Sequence, residues 1–315
     1  MIEPTQSDTP FALLEQNLAD LEAAPGVLGS EAQTAELMAL LAQCTDVSEH
    51  SDRPILRTLH HFACTGGTLI SKCIAAMPCI RLLSEVDPLS EIAHTHPFVP
   101  TDMVGLAKFS SAPPSDADLL RVFLAGLSVL EVQSRHEGRD LVLRDHSHSH
   151  FCCAGFRPER PSLREMLRPE YMVLSLVTVR HPLDTYLSVV RNGWVHWEPG
   201  TLEEYANRYH LFLDHYADVD VLRYEDFLAN PVEEMRKICG FLKLPFNPHF
   251  QDVFSALHLS GDSGRSSAVI GTRPRRAVPE EIFAQALASQ SYQRLCARLG
   301  YSSADPTGGG AAENC

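Results

Sequence analysis

The stretch ILRTLHHFACTGGTLISKCIAAM, residues 55–77, decides the fold. Its first eight residues, 55–62, are rich in apolar and β-compatible side chains and read as a strand. ACTGGT, 63–68, is a glycine-containing turn. The apolar segment that follows is compatible with a helix and stops at Pro78. A strand, a glycine turn and a helix in that order aim backbone N–H groups and a helix N-terminus at an anion.

Working outward, the same alternation recurs. A second strand is expected over 79–83, emptying into Ser84-Glu85-Val86-Asp87-Pro88, and 115–135 reads as helix. DLVLR, 140–144, reads as a strand ahead of Asp145-His146-Ser147-His148-Ser149-His150. MVLSLVTV, 172–179, is a continuous apolar run of the kind buried on both faces of a parallel sheet. Arg180-His181-Pro182 closes it, and a helix is expected from Leu183 or Asp184. Residues 201–216 read as helix, with Thr201 and Glu204 in capping-box spacing. A short strand at 220–222 precedes Arg223-Tyr224-Glu225-Asp226, and Pro231 opens a helix to Leu242. Residues 260–276 are polar and arginine-rich, and a last helix is expected over 279–299.

Strands alternating with helices imply an α/β fold, a three-layer α/β/α arrangement on a mostly parallel central sheet with a P-loop-like phosphate-binding turn. The expected organisation is an N-terminal helical extension over 1–52, the α/β domain over 53–302 and a disordered tail over 303–315. Leucines at helical spacing between 10 and 44 support the extension, which offers a partner surface, a cover for a pocket or a homodimer contact.

The chain has 315 residues, 44% of them hydrophobic, which suffices for a sizeable core and excludes a disordered or fibrous chain. Forty acidic against 26 basic side chains give a net charge of -14, which argues against a nucleic-acid partner. No apolar run reaches membrane-span length, and MIEPTQSDTPFALLEQNLADLEAA lacks the basic start of a secretory signal, so a soluble, cytoplasmic protein is expected. Nine cysteines without a CxxC pair read as reduced thiols.

In a parallel sheet, ligands bind beyond the carboxyl ends of the strands. ACTGGT, Glu85, Arg144 to His146 and Arg180-His181-Pro182 all fall at such ends. With only four lysines, positive charge for a phosphate compound must come mainly from arginine, whose planar fork suits bidentate phosphate contacts.

These residues resemble the sulfotransferase family that uses 3'-phosphoadenosine 5'-phosphosulfate (PAPS). The strand–ACTGGTL–helix unit resembles its 5'-phosphosulfate loop, usually Pro-Lys-Ser-Gly-Thr-Thr. Arg180-His181-Pro182-Leu183-Asp184, with Ser188 eight residues after Arg180, resembles its 3'-phosphate motif. Arg223-Tyr224-Glu225-Asp226-Phe227 with Pro231 and Phe241-Leu242 resembles its Tyr-Glu-Asp segment. Gly261-Asp262-Ser263-Gly264-Arg265 lies where the family has a late cofactor loop. Together these cover roughly residues 55–300.

The resemblance implies PAPS as co-substrate without a metal, a small-molecule or glycan acceptor, and a cofactor site of Cys64, Thr65, Gly66, Gly67, Thr68, Leu69, Arg180, Ser188 and Arg265. Cys64 stands where the family loop carries lysine; Lys72 and Arg144 are the two cations that can replace it. Leu141 to His146 resembles the segment in which a Lys-x-His triplet ends a strand, which makes His146 the first choice for the base that deprotonates the acceptor and Glu85 the second. Alternating His146, His148 and His150 also admit a metal reading; without supporting ligand spacing, solvated loop histidines are expected. Trp194 and Trp197 either line the acceptor pocket or pack. Two competing readings stand: a non-catalytic 3',5'-bisphosphoadenosine-binding or partner-binding protein, and a kinase-like phosphotransferase, which the absence of GxxxxGK[ST] opposes.

Overall fold

The computed structural model describes residues 53–90, 102–260, 269–272 and 276–303. The expected extension, the tail and Arg265 lie outside the described residues. Five strands form one sheet: β1 (Ile55–His61), β2 (Ile80–Val86), β3 (Asp140–Asp145), β4 (Met172–Val179) and β5 (Asp220–Arg223). Their order is β2-β3-β1-β4-β5, and every neighbouring pair is parallel. The longer helices are α1 (Gly67–Ala75), α2 (Asp116–His136), α3 (Pro182–Arg191), α4 (Leu202–His215), α5 (Pro231–Leu242), α6 (Glu280–Ala288) and α7 (Gln290–Leu299).

Strand side chains alternate between two apolar layers, as a period of two requires. Leu59 of β1, Val142 of β3, Leu176 of β4 and Leu222 of β5 pack against Ile70 and Ile74 of α1 and Ile238 and Leu242 of α5. On the opposite face, Val177 and Val179 of β4 meet α3, α4, α6 and α7 through Tyr186, Tyr209, Ile282 and Tyr292. Leu127 of α2 covers Leu56, Leu141 and Leu143 on that side. Each fully buried aliphatic side chain contributes about 1.5–3 kcal/mol, so these two layers hold the α/β/α sandwich together.

A polar chain crosses this apolar interior. His60 bonds the Asp145 carboxylate through Nδ1 at 2.7 Å and Thr58 Oγ1 through Nε2 at 2.9 Å. Tyr216 donates to the same Asp145 oxygen at 3.0 Å. The members come from β1, the end of β3 and the C-terminal end of α4, so the network fixes the strand end that carries Arg144 and His146.

Four local expectations differ from what forms. β2 continues to Val86, with a register shift between Leu83 and Val86 and Glu85 at φ +62°, so Glu85 sits in an irregular strand end rather than beyond the strand. The helix after β4 starts at Pro182, because His181 caps it by accepting the Leu183 N–H and proline suits the first helical position. The expected helix over 279–299 is two helices: Ser289 is extended and caps the second by accepting the Tyr292 N–H. Thr201 caps α4, but the Glu204 carboxylate turns to Arg208 at 2.7 Å instead of back to the cap, so the capping box is half formed.

Candidate active site

β1 lies at the point where the chain order reverses, with β3 and β2 on one side and β4 and β5 on the other. That is the crevice where open parallel sheets bind ligands. The turn leaving β1 is shaped by its neighbours. Gly66 has φ +89°, and a Cβ there would lie 2.3 Å from the Tyr224 ring. A Cβ on Gly67 would lie 2.3 Å from the His61 ring. Both glycines are therefore required by contact, one with each ring. α1 begins at Gly67 without a side-chain cap; the Leu69 and Ile70 N–H groups return to Gly66 O, and those of Gly67 and Thr68 have no partner inside the helix.

The two threonines of the loop behave differently. Thr65 is fully buried, and both its N–H and its hydroxyl donate to Phe62 O, at 3.3 and 2.9 Å. It closes the turn and does not offer the donors expected of it. Thr68 Oγ1 accepts from Arg144 Nη2 at 2.9 Å. Leu69 packs in the core beneath α1, and its N–H returns to Gly66 O at 3.0 Å. Lys72 is buried one turn further along α1.

Two groups of side chains flank this turn. On the first side, Arg180 leaves the end of β4, donates to Cys64 O at 3.4 Å, and has its guanidinium carbon 5.3 Å from the centre of the Tyr224 ring. Arg276 donates to Ser188 Oγ on α3 at 3.5 Å. Both arginines lie close enough to Cys64 to pull its thiol down, but burial outweighs them and raises it to about 11, so the thiol stays protonated at neutral pH. Glu225 accepts the His181 N–H at 3.0 Å and the Tyr301 hydroxyl at 2.6 Å, which ties the exits of β4 and β5 together behind Arg180.

On the second side, the buried Arg144 guanidinium is held in place by polar neighbours. It donates to His61 Nε2, Ser84 Oγ and Thr68 Oγ1, each at 2.9 Å, and pairs with Glu85 Oε1 at 2.7 Å. Since His61 Nε2 accepts from arginine, its proton is on Nδ1, facing Phe62 O at 3.2 Å. Burial, followed by Arg144, lowers His61 to about 4 and keeps it neutral. Glu85 Oε2 meets His146 Nε2 at 2.7 Å. Burial alone would raise Glu85; the His146 hydrogen bond and Arg144 prevail and hold it at about 2, so it is a carboxylate. Ser260, next to the stretch that contains Arg265, exchanges hydrogen bonds with Ser84 at 2.9 and 2.8 Å.

The three alternating histidines do not share one environment: His146 and His148 are partly exposed and His150 is buried. Ser147 begins a short helix, His148–Phe151, so the period of two ends at the strand. His148 stays beside His146, with ring centres 3.7 Å apart, and stacks nearly parallel on Trp194. His150 turns away into the core and bonds Arg157 O at 3.1 Å. Trp197 is buried against Tyr205. Of the two tryptophans, only Trp194 stands beside the histidines.

Among the expected site residues, the structure thus brings Cys64, Gly66, Gly67, Thr68, Arg144, Glu85, His146, Arg180 and Ser188 around one turn. Participants outside the expected cofactor and base residues are His61, Ser84, Tyr224, His148 and Arg276. A signal existed for Tyr224, through its place in the Tyr-Glu-Asp segment, and for His148, through the alternation of histidines.

The sequence profile of the Sulfotransferase family matches residues 62–248. Among solved structures, the chain is similar to the sulfotransferase domain from the Synechococcus PCC 7002 olefin synthase. That match has 14% identity, covers 80% of this chain and 97% of that one, and has a TM-score of 0.52. A looser likeness, with TM-score 0.37 and 13% identity over 78% of this chain and 89% of that one, is to mouse sulfotransferase SULT7A1 complexed with PAP. Curated protein sequences give no significant match.

Proposed function

The chain belongs to the sulfotransferase family, and from that premise we propose that it transfers a sulfuryl group from PAPS to a hydroxyl or amine of a small-molecule or glycan acceptor. The observation that carries the reading is the division of the loop's surroundings. Arg180, Arg276 and Ser188 stand on one side, and the Arg144–Glu85–His146 group on the other. A 3'-phosphate needs fixed cations and a short hydroxyl, which the first side supplies. The reacting end of the donor needs backbone N–H groups, a cation and a base, which α1 and the second side supply.

In this reading the N–H groups at the start of α1 and the Arg144 guanidinium hold the negative charge that develops on the 5'-phosphate as its bond to sulfur breaks. A preorganised donor of this kind contributes about 3–4 kcal/mol to the transition state. Arg144 replaces the family's loop lysine: it reaches Thr68 Oγ1 at 2.9 Å, while Cys64 carries no charge. Glu85 uses one oxygen on Arg144 and the other on His146 Nε2, so it orients the imidazole. Nδ1 of His146 is then the nitrogen that takes the acceptor proton as the new sulfur–oxygen or sulfur–nitrogen bond forms.

The test compares thermal stability with 3',5'-bisphosphoadenosine and with AMP, followed by transfer of labelled sulfate from PAPS to an acceptor panel. Ligand at 100 times its dissociation constant stabilises by about 2.7 kcal/mol. A shift with the bisphosphate, little with AMP, and loss of at least tenfold in affinity on Arg180→Ala are expected. Equal shifts with both nucleotides, or an Arg180→Ala variant with full affinity, overturn the site. Binding without any transfer supports the non-catalytic reading.

A further inference from the structure

Glu85, His146 and His148 place a carboxylate oxygen and two imidazole nitrogens within 4.8 Å of one another. We infer that these three side chains form a binding site for a late first-row divalent cation, of the class of Zn²⁺ or Co²⁺, at the acceptor side of the loop. Two imidazoles and one carboxylate with remaining positions open to solvent is an established donor set for such ions, and its nitrogen content disfavours Mg²⁺ and Ca²⁺.

The geometry is close to what an ion needs. Zinc bonds nitrogen and carboxylate oxygen at about 2.0–2.2 Å, which puts neighbouring donor atoms roughly 3–3.5 Å apart. His146 Nε2 and Glu85 Oε2 already face each other at 2.7 Å, with a hydrogen bond where the ion would sit. Opening that pair by a few tenths of an ångström and turning the His148 ring completes the set. His148 is half-buried and makes no hydrogen bond among the described residues; its ring contacts are His146 and Trp194. It is therefore an imidazole whose nitrogens are uncommitted, at the third corner of the cluster. Its backbone is held from both sides: the Ser147 hydroxyl is bonded to His61 O and the Ser149 hydroxyl to Asp87. Arg144 on the other oxygen of Glu85 opposes a second cation, and the carboxylate between them offsets that repulsion.

A consequence follows that rests on the proposed transfer reaction. An ion coordinated by His146 removes the group that accepts the proton, so cation binding and sulfuryl transfer exclude each other.

The experiment uses the full chain after chelator treatment, without nucleotide, titrated with Co²⁺ and followed by its visible d–d absorption. Saturation at about one equivalent with the intense bands of a low-coordinate nitrogen-ligated ion is expected. His148→Gln should weaken binding at least tenfold, and Glu85→Gln likewise, with far-ultraviolet circular dichroism as the folding control. No cobalt band in the unaltered chain, or a band that persists in both variants, overturns the site. Because nothing in this titration depends on PAPS, a failure of the transfer assay leaves it unaffected. If transfer does proceed, inhibition by Zn²⁺ that His148→Gln relieves is expected.

Discussion

Replacing Gly67 with alanine tests how the turn after β1 is built. On an ordinary helix start, Gly→Ala stabilises by about 0.4–1 kcal/mol, because the unfolded chain loses freedom. Here the added Cβ would lie 2.3, 2.4 and 2.6 Å from three atoms of the His61 ring. Ordinary contact lies more than 1 Å farther out, so the ring or the turn must move. The ring is 4% exposed and is held by Arg144 on one nitrogen and Phe62 O on the other. Overpacking of this kind costs about 1–3 kcal/mol, and losing the Arg144 hydrogen bond adds about 1–3 kcal/mol if its donor is stranded. With that hydrogen bond lost, the net expectation is a loss of about 1–5.5 kcal/mol, opposite in sign to the propensity effect. Urea unfolding of Gly67→Ala, His61→Ala and the double variant measures it. In the His61→Ala background the ring is gone, and Gly67→Ala should be neutral or stabilising. A Gly67→Ala protein as stable as the unaltered chain, or an equal loss in both backgrounds, refutes the argument.

Two further outcomes are expected. Asp145→Ala leaves His60 and the Tyr216 hydroxyl without their shared acceptor in the core, and should cost about 3–5 kcal/mol in urea unfolding; Asp145→Asn, which keeps an oxygen there, should lose less. His61 and His150 are each lowered by burial to about 4 from the ordinary 6.5, so in acid the unfolded chain takes up protons that the folded one refuses. Stability should therefore be fully present above pH 6.5 and fall as pH drops toward 4, at about 1.4 kcal/mol per pH unit for each histidine. His61→Gln should flatten that slope by one proton's worth in denaturation curves taken across this range, and an unchanged slope would refute the assignment.

The strand–turn–helix unit over 55–77 and the apolar run over 172–179 were legible in the sequence because they are local. Side-chain period and glycine placement in one window report which element forms, and continuous apolar strands report burial on both faces. The same locality exposed ACTGGT and Arg180 as strand-end features. It failed at Thr65, which has the right type and place for a ligand donor. Its partner is Phe62 O, and only the closed turn shows that this acceptor is in reach. The histidines follow the strand, as their place beyond 140–144 implied, but only the folded chain shows His148 beside His146 and His150 turned into the core.

The composition, the element order and the candidate loop were thus determined by the sequence itself. The assembly of the site was decided by the strand order β2-β3-β1-β4-β5, which sets β2 and β3 on one side of the loop and β4 and β5 on the other. That order brings Glu85 and Arg144 to Thr68 from one side, and Arg180 and Tyr224 to Cys64 and Gly66 from the other. Each of these contacts joins residues far apart in the chain, across distances of a few ångströms. Side-chain periodicity carries no information about such pairs; packing two apolar layers against one twisted sheet does.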